Sequence, residues 1–299
     1  MATAFVNGFW LYYDERGVGT PVVYVHGGFT CLASLLADLP TDGSDWTWEQ
    51  DFDRYFQFVS YDRRGCLRST YPGTGFDLLD QARDLEALLD HLGIQSAHLI
   101  GSSAGGPIAV MFAATRPTRT RSLVLVGTGV NLFSHDDPIA EVVLSQIQVL
   151  DERGPEAAFR SRPLGVEVTI EALWNPPEHE ERGALDKYWE EQRRLKALAE
   201  DFPYDVRVQY HADELLNIKS YVEVDLSEYT PRVTCPALVL HGRNDRVVPL
   251  SWGQSLAESI DGAKLVVLEG ESHSMMVRSA EARQRAASFI LDVESNLSC

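Results

Sequence analysis

Gly101-Ser102-Ser103-Ala104-Gly105 lies between an apolar run at 97–101 and a small-residue stretch at 105–115 that stops before Pro117. The run reads as a buried strand and the stretch as a helix. A Gly-x-Ser-x-Gly between such elements puts its central serine on a sharp turn, with the hydroxyl lifted clear of the sheet. The turn strains the central backbone and crowds its neighbours, and glycines at minus two and plus two relieve that crowding. The helix that follows aims backbone N–H groups and the positive end of its dipole at the same point. Ser102 carries the same hydroxyl, but the glycine spacing selects Ser103.

Outward from this turn, short β-rich runs alternate with helical stretches, which signals a mostly parallel sheet covered by helices. Residues 5–13 and 21–26 read as opening strands separated by a turn at Gly17-Val18-Gly19, and 56–61 as the next strand. A helix is predicted over 76–92, from leucines at helical spacing up to Gly93. Residues 121–126 form another apolar strand. From about 131 to 230 the rhythm breaks into polar sequence, with amphipathic helices predicted at 136–150 and 180–198. It resumes with strands at 236–241 and 264–268 and helices at 251–260 and 280–292. Return to the same rhythm favours an insertion at 131–230 into one core, 1–130 and 231–299, over a separate domain.

A serine hydroxyl is a weak nucleophile and requires a base within hydrogen-bond reach. His273 has the best setting of the eight histidines: it follows the 264–268 strand, in a loop that precedes the last helix. Loops at the carboxyl ends of parallel strands share one rim with the Ser103 turn. Asp245 follows the 236–241 strand and reaches the same rim, where it can accept the second imidazole N–H. His26 and His241, each before a glycine at a strand end, read as histidines satisfied in the core. At the end of the 21–26 strand, Gly27-Gly28-Phe29 lets the backbone approach a substrate oxygen. The N–H of Gly28 or Phe29, with that of Ala104, would form the oxyanion hole.

Composition sets outer limits. Hydrophobic residues are 44% of the 299, enough for a continuous core, and the formal net charge is −18. That charge argues against nucleic acid and anionic membrane surfaces as partners. No apolar run reaches the roughly 18 residues of a membrane span. The first ten residues lack a basic start and apolar stretch, so the expected location is cytoplasmic. Cys31, Cys66, Cys235 and Cys299 are scattered, which predicts free thiols. Neither a cofactor nor a metal is expected. Gly127-Thr128-Gly129 lacks the third glycine of a nucleotide fingerprint, and His179-Glu180 has no second histidine at metal spacing.

His26-Gly27-Gly28, Tyr61-Asp62-Arg63-Arg64-Gly65, the Ser103 turn, Asp245 and His273 together resemble the α/β-hydrolase superfamily over nearly the whole chain. The resemblance implies an eight-stranded, mostly parallel sheet with helices on both faces, and a helical cap at about 131–230. In the same resemblance Asp62 to Gly65 is a structural turn. Serine in the elbow is unlike the aspartate of epoxide hydrolases and haloalkane dehalogenases. The glycine pair with Arg64-Gly65-Cys66 is also similar to proline iminopeptidases, which have proline where this chain has Phe29. The expected chemistry is acyl transfer to water on a small-molecule carboxylic ester or lactone. Meta-cleavage C–C hydrolysis, an iminopeptidase-like amidase and a slow-turnover ligand sensor are the alternatives. Trp174, Tyr188, Trp189, Tyr204 and Tyr210 would chiefly pack the cap.

Overall fold

Successive side chains of a β-strand point to opposite faces, so a strand that is apolar at every position fills two cores at once. The computed structural model describes residues 2–28, 48–66, 68–70, 72–132, 138–162, 201–222, 225–273 and 275–297. Within them, eight strands form one sheet: β1 Ala2–Val6, β2 Phe9–Arg16, β3 Thr20–Val25, β4 Phe56–Tyr61, β5 Ala97–Ser102, β6 Thr120–Val126, β7 Ala237–Gly242 and β8 Lys264–Leu268. The spatial order is β1-β2-β4-β3-β5-β6-β7-β8. The two pairings of β2 are antiparallel, and every pairing from β4 to β8 is parallel.

The described helices are α1 Gln50–Asp53, α2 Leu78–His91, α3 Gly105–Thr115, α4 Pro138–Arg153, α5 Pro155–Ser161, α6 Tyr204–Val222, α7 Leu250–Ser259, α8 Met275–Arg278 and α9 Ala280–Leu297. Val23, Val25, Leu99, Leu123 and Leu125 face one core, where Leu85 and Leu88 of α2, Ile108 of α3 and Leu256 of α7 meet them. Their alternates Val22, Tyr24, Ile100, Val124 and Val126 face the other, against Phe52 of α1 and Ala282, Ala286 and Ile290 of α9. Each fully buried aliphatic side chain of this kind contributes about 1.5–3 kcal/mol. This is the α/β-hydrolase architecture, with helices on both faces of the sheet as expected.

Two local readings need correction. Residues 5–13 are not one strand: Asn7 (φ 47°) and Gly8 (φ 88°) turn the chain between β1 and β2. Two consecutive left-handed residues make the tight hairpin turn that Asn-Gly favours, so the dipeptide itself carried the signal. The second is α6, a 19-residue helix that polar patterning concealed. Its buried positions include His211, Asp213, Glu214, Asn217 and Ser220 beside Ala212, Leu215 and Ile218. A helix that buries polar groups shows little apolar periodicity. With α4 and α5 it forms a mutually packed set between β6 and β7. Tyr204 is exposed and meets Phe159 edge-on at 5.5 Å, and Tyr210 lies 6.5 Å from Phe202. The helix expected at 180–198, with Trp174, Tyr188 and Trp189, lies outside the described residues.

Burial on α6 has a measurable consequence. Asp213 is fully buried, and desolvation raises its pKa to about 7 against a lowering hydrogen bond from Gln209. A raised carboxylate pKa means that the folded state holds the proton more tightly. The resulting stability is complete below the ordinary carboxylate range and is lost as pH rises through about 7. Desolvation and the Arg162 charge lower His211 to about 4, so its cost appears on the acid side and is common to both proteins compared. Asp213→Asn should therefore be more stable than the parent at pH 8, by roughly 1–4 kcal/mol, with a clearly smaller gap at pH 5. Thermal or urea unfolding at the two pH values checks this. An equal gap at both would contradict it.

Candidate active site

At the end of β5 the chain reverses into α3, and Ser103 takes φ 49°. A non-glycine residue held there costs about 1–3 kcal/mol, so the surroundings must over-determine it. Ser103 N–H donates to the Val126 carbonyl and Gly106 N–H to the Ser103 carbonyl, both at 2.9 Å. The flanking glycines supply space. A Cβ on Gly101 would sit 2.8 Å from the Ala109 Cβ, and one on Gly105 would collide with the Val25 carbonyl oxygen. The crowding argued from the pentapeptide is thus physical, and Ser103 rather than Ser102 occupies the strained position.

Ser103, His273 and Asp245 come together from three loops. His273 Nε2 lies 2.9 Å from Ser103 Oγ, and its Nδ1 lies 2.8 Å from Asp245 Oδ2. The Asp245 side chain is buried, and that of His273 is 15% exposed, which leaves the imidazole edge accessible. Asp245 Oδ1 accepts the backbone N–H groups of Val247 and Val248 at 3.0 and 2.9 Å. These bonds orient the carboxylate within its own loop, so Oδ2 is aimed before any ligand arrives. Arg243 pairs instead with Glu269, at 2.7 Å. Buried His241 donates Nε2–H to the Val248 carbonyl at 2.9 Å, and desolvation lowers its pKa. It is a buried core histidine, as its strand-end position suggested, but only one ring nitrogen is satisfied: Nδ1 is buried without a hydrogen-bond partner among the described residues.

Gly127 is a site residue that the pattern reading passed over. It follows β6 with φ 55°, and a Cβ there would stand 3.3 Å from Asp245 Oδ2 and 3.4 Å from His273 Nδ1. A side chain at 127 would be strained and would press on the imidazole–carboxylate pair. Its sequence signal is a glycine at the end of the strand between those carrying Ser103 and Asp245.

The glycine pair after β3 approaches Ser103 directly. A Cβ on Gly27 would lie 2.9 Å from the Ser103 Cβ and 3.6 Å from its Oγ. Gly28 has φ 77°, and Ala104 is fully buried at the N-cap of α3. Phe29, the other expected donor, lies outside the described residues, as do Cys31 and Cys299. Cys66 is buried, while burial raises the half-buried Cys235 thiol to about 11. No helix among the described residues is long and apolar enough to cross a membrane.

Comparison with known proteins bears on the fold. The family described as alpha/beta hydrolase fold matches residues 20–279. A non-heme haloperoxidase of Rhodococcus erythropolis is 24% identical over 282 residues, covering 92% of this chain and 93% of its own. A bifunctional esterase/perhydrolase of Acinetobacter calcoaceticus is 25% identical over 284 residues, covering 92% and 93%. The crystal structure of the enol-lactonase from Burkholderia xenovorans LB400 superposes with a TM-score of 0.68 at 23% identity, covering 98% of this chain and all of that one.

Proposed function

This chain belongs to the alpha/beta hydrolase fold family, and we propose that within it the chain is a serine hydrolase that cleaves a carboxylic ester or lactone through an acyl-enzyme. The observation that carries this reading is the unbroken row Asp245–His273–Ser103, with separations of 2.8 and 2.9 Å. Nδ1–H of His273 donates to Asp245, which leaves Nε2 with a free lone pair facing the serine hydroxyl. As Oγ attacks the substrate carbonyl carbon, Nε2 takes its proton and Asp245 stabilises the imidazolium. The carbonyl π electrons move to oxygen, and that oxyanion accepts hydrogen bonds from the N–H of Ala104 and of Gly28 or Phe29. Collapse breaks the bond to the leaving alkoxide, which takes the proton from His273. Water then attacks the acyl-enzyme by the same route in reverse roles. No step needs a cofactor or a metal.

Residues 131–230 act in this proposal as a helical cap on the 1–130 and 231–299 core. A carboxylic ester fits the activity named for the esterase/perhydrolase relative. The test is labelling with a fluorophosphonate probe followed by an ester, lactone, amide and C–C substrate panel. The expected result is stoichiometric mass addition on Ser103 and fastest turnover on an ester or lactone. Labelling elsewhere, or a preference for amide or C–C substrates, would replace the assignment.

A further inference from the structure

Arg63 is among the largest fully buried side chains of the molecule, at 1% exposure. Its neighbours in the Asp62-Arg63-Arg64-Gly65 turn have structural partners: Asp62 pairs with Arg68 at 2.7 Å and Arg64 with buried Asp84 at 2.5 Å. Arg63 instead turns toward the glycine pair. Its Nη2 donates to the carbonyl oxygen of Gly28 and, at 3.5 Å, to that of Gly27. Its Nη1 donates to Tyr221 Oη at 2.8 Å and to Gln81 Oε1 at 3.1 Å. Tyr221, on α6 and 4% exposed, donates its own O–H to the Ala104 carbonyl at 2.7 Å.

His26 completes the frame. Its Nε2 accepts the Arg63 backbone N–H at 3.1 Å, and its Nδ1–H donates to the Gly27 carbonyl at 2.6 Å. That pair of bonds requires a neutral ring. Desolvation and the Arg63 charge keep it so, lowering its pKa to about 3.

A trans peptide is planar, with its C=O and N–H pointing in opposite directions. Anchoring the Gly27 carbonyl, closely by His26 and at 3.5 Å by Arg63, therefore fixes the direction of the Gly28 N–H. The closer Arg63 bond to the Gly28 carbonyl holds the same glycine from its other side. Two adjacent glycines have no side chains to hold that direction themselves. An oxyanion hole works only if its donors are aimed in advance at the charge that develops. We propose that Arg63 and Tyr221 are positioning residues for the oxyanion hole, one hydrogen-bonded frame linking the Gly27-Gly28 loop to Ala104. Neither touches a reacting atom. The proposal rests on the serine-hydrolase reading and adds that a helix of the insertion belongs to the catalytic frame.

Tyr221→Phe keeps the ring and removes both bonds of Oη. With p-nitrophenyl butyrate, kcat is expected to fall roughly tenfold to a hundredfold, the range in which a small misplacement of catalytic groups is felt. KM should stay within about twofold, because the hole acts on the transition state. Affinity for a small trifluoromethyl ketone, which adds to serine as a tetrahedral adduct, should weaken by the same factor as kcat, with thermal unfolding close to the parent. Arg63→Lys keeps the charge but cannot span both loop and phenol, so its loss should be at least as large. If that variant fails to fold, Tyr221→Phe decides alone. Parental kcat and ketone affinity in Tyr221→Phe would overturn the positioning role, as would a loss confined to KM. Ser103→Ala separates the two levels. An inactive Ser103→Ala beside a fully active Tyr221→Phe sinks only the positioning role, whereas an active Ser103→Ala sinks the hydrolase reading and this proposal with it.

Discussion

Ser103→Ala is expected to lower kcat for p-nitrophenyl butyrate by about 100,000-fold or more while the protein stays folded. The chemical reason is that the variant lacks the hydroxyl that stands 2.9 Å from His273 Nε2. Losses of this order follow removal of a nucleophile from a cooperative serine triad, and the residual rate reflects binding and the oxyanion hole. Stability should change little. The substitution deletes one oxygen, alanine meets the same strain at φ 49°, and the backbone bonds to Val126 and Gly106 remain. Steady-state turnover with a thermal melt on the same preparation checks both halves. Activity within a hundredfold of the parent would move the nucleophile elsewhere.

Asp245→Asn should cost about 10,000-fold in kcat, again without unfolding. The structure supplies the reason for so large an effect from a near-isosteric change. Oδ1 is held by two backbone donors, Val247 and Val248, so the amide oxygen of asparagine will take that position. Its NH2 group then faces His273 Nδ1 and forces that nitrogen to accept. The ring proton moves to Nε2, which presents N–H to Ser103 and has no lone pair for its proton. The variant should still fold, and KM for the ester should change far less than kcat. A loss of tenfold or less would mean that Asp245 does not set the tautomer.

How far the fold was legible varied with the physics of each segment. β4, β5, β6 and β8 were readable because short apolar runs bounded by glycine or polar turns have few other solutions. α2 was readable from its leucines and from Gly93, which takes φ 68° just past the helix. α6 was not, since burial there is carried by His211, Asp213 and Asn217, whose partners no periodicity encodes. At the candidate site, Ser103, His273 and Asp245 were legible because each follows a recognisable strand. Arg63 and Arg64 are adjacent and chemically alike. Nothing in the sequence tells that one pairs with Asp84 and the other grips the glycine loop. That distinction comes only from the direction in which the turn sends each side chain.

The strand order β1-β2-β4-β3-β5-β6-β7-β8 also constrains how the molecule comes into being. Only the β1–β2 hairpin closes locally, while β3 must be flanked by two strands made after it, and β7 joins β6 across the whole helical insertion. Pairings so remote along the chain make assembly slow, because loop entropy is lost before contacts reward it. On refolding from denaturant, a chain with its first six strands in register would still be catalytically silent. If the proposed serine-hydrolase reading holds, ester cleavage can return no sooner than β7 and β8 dock and bring their two loops to the serine.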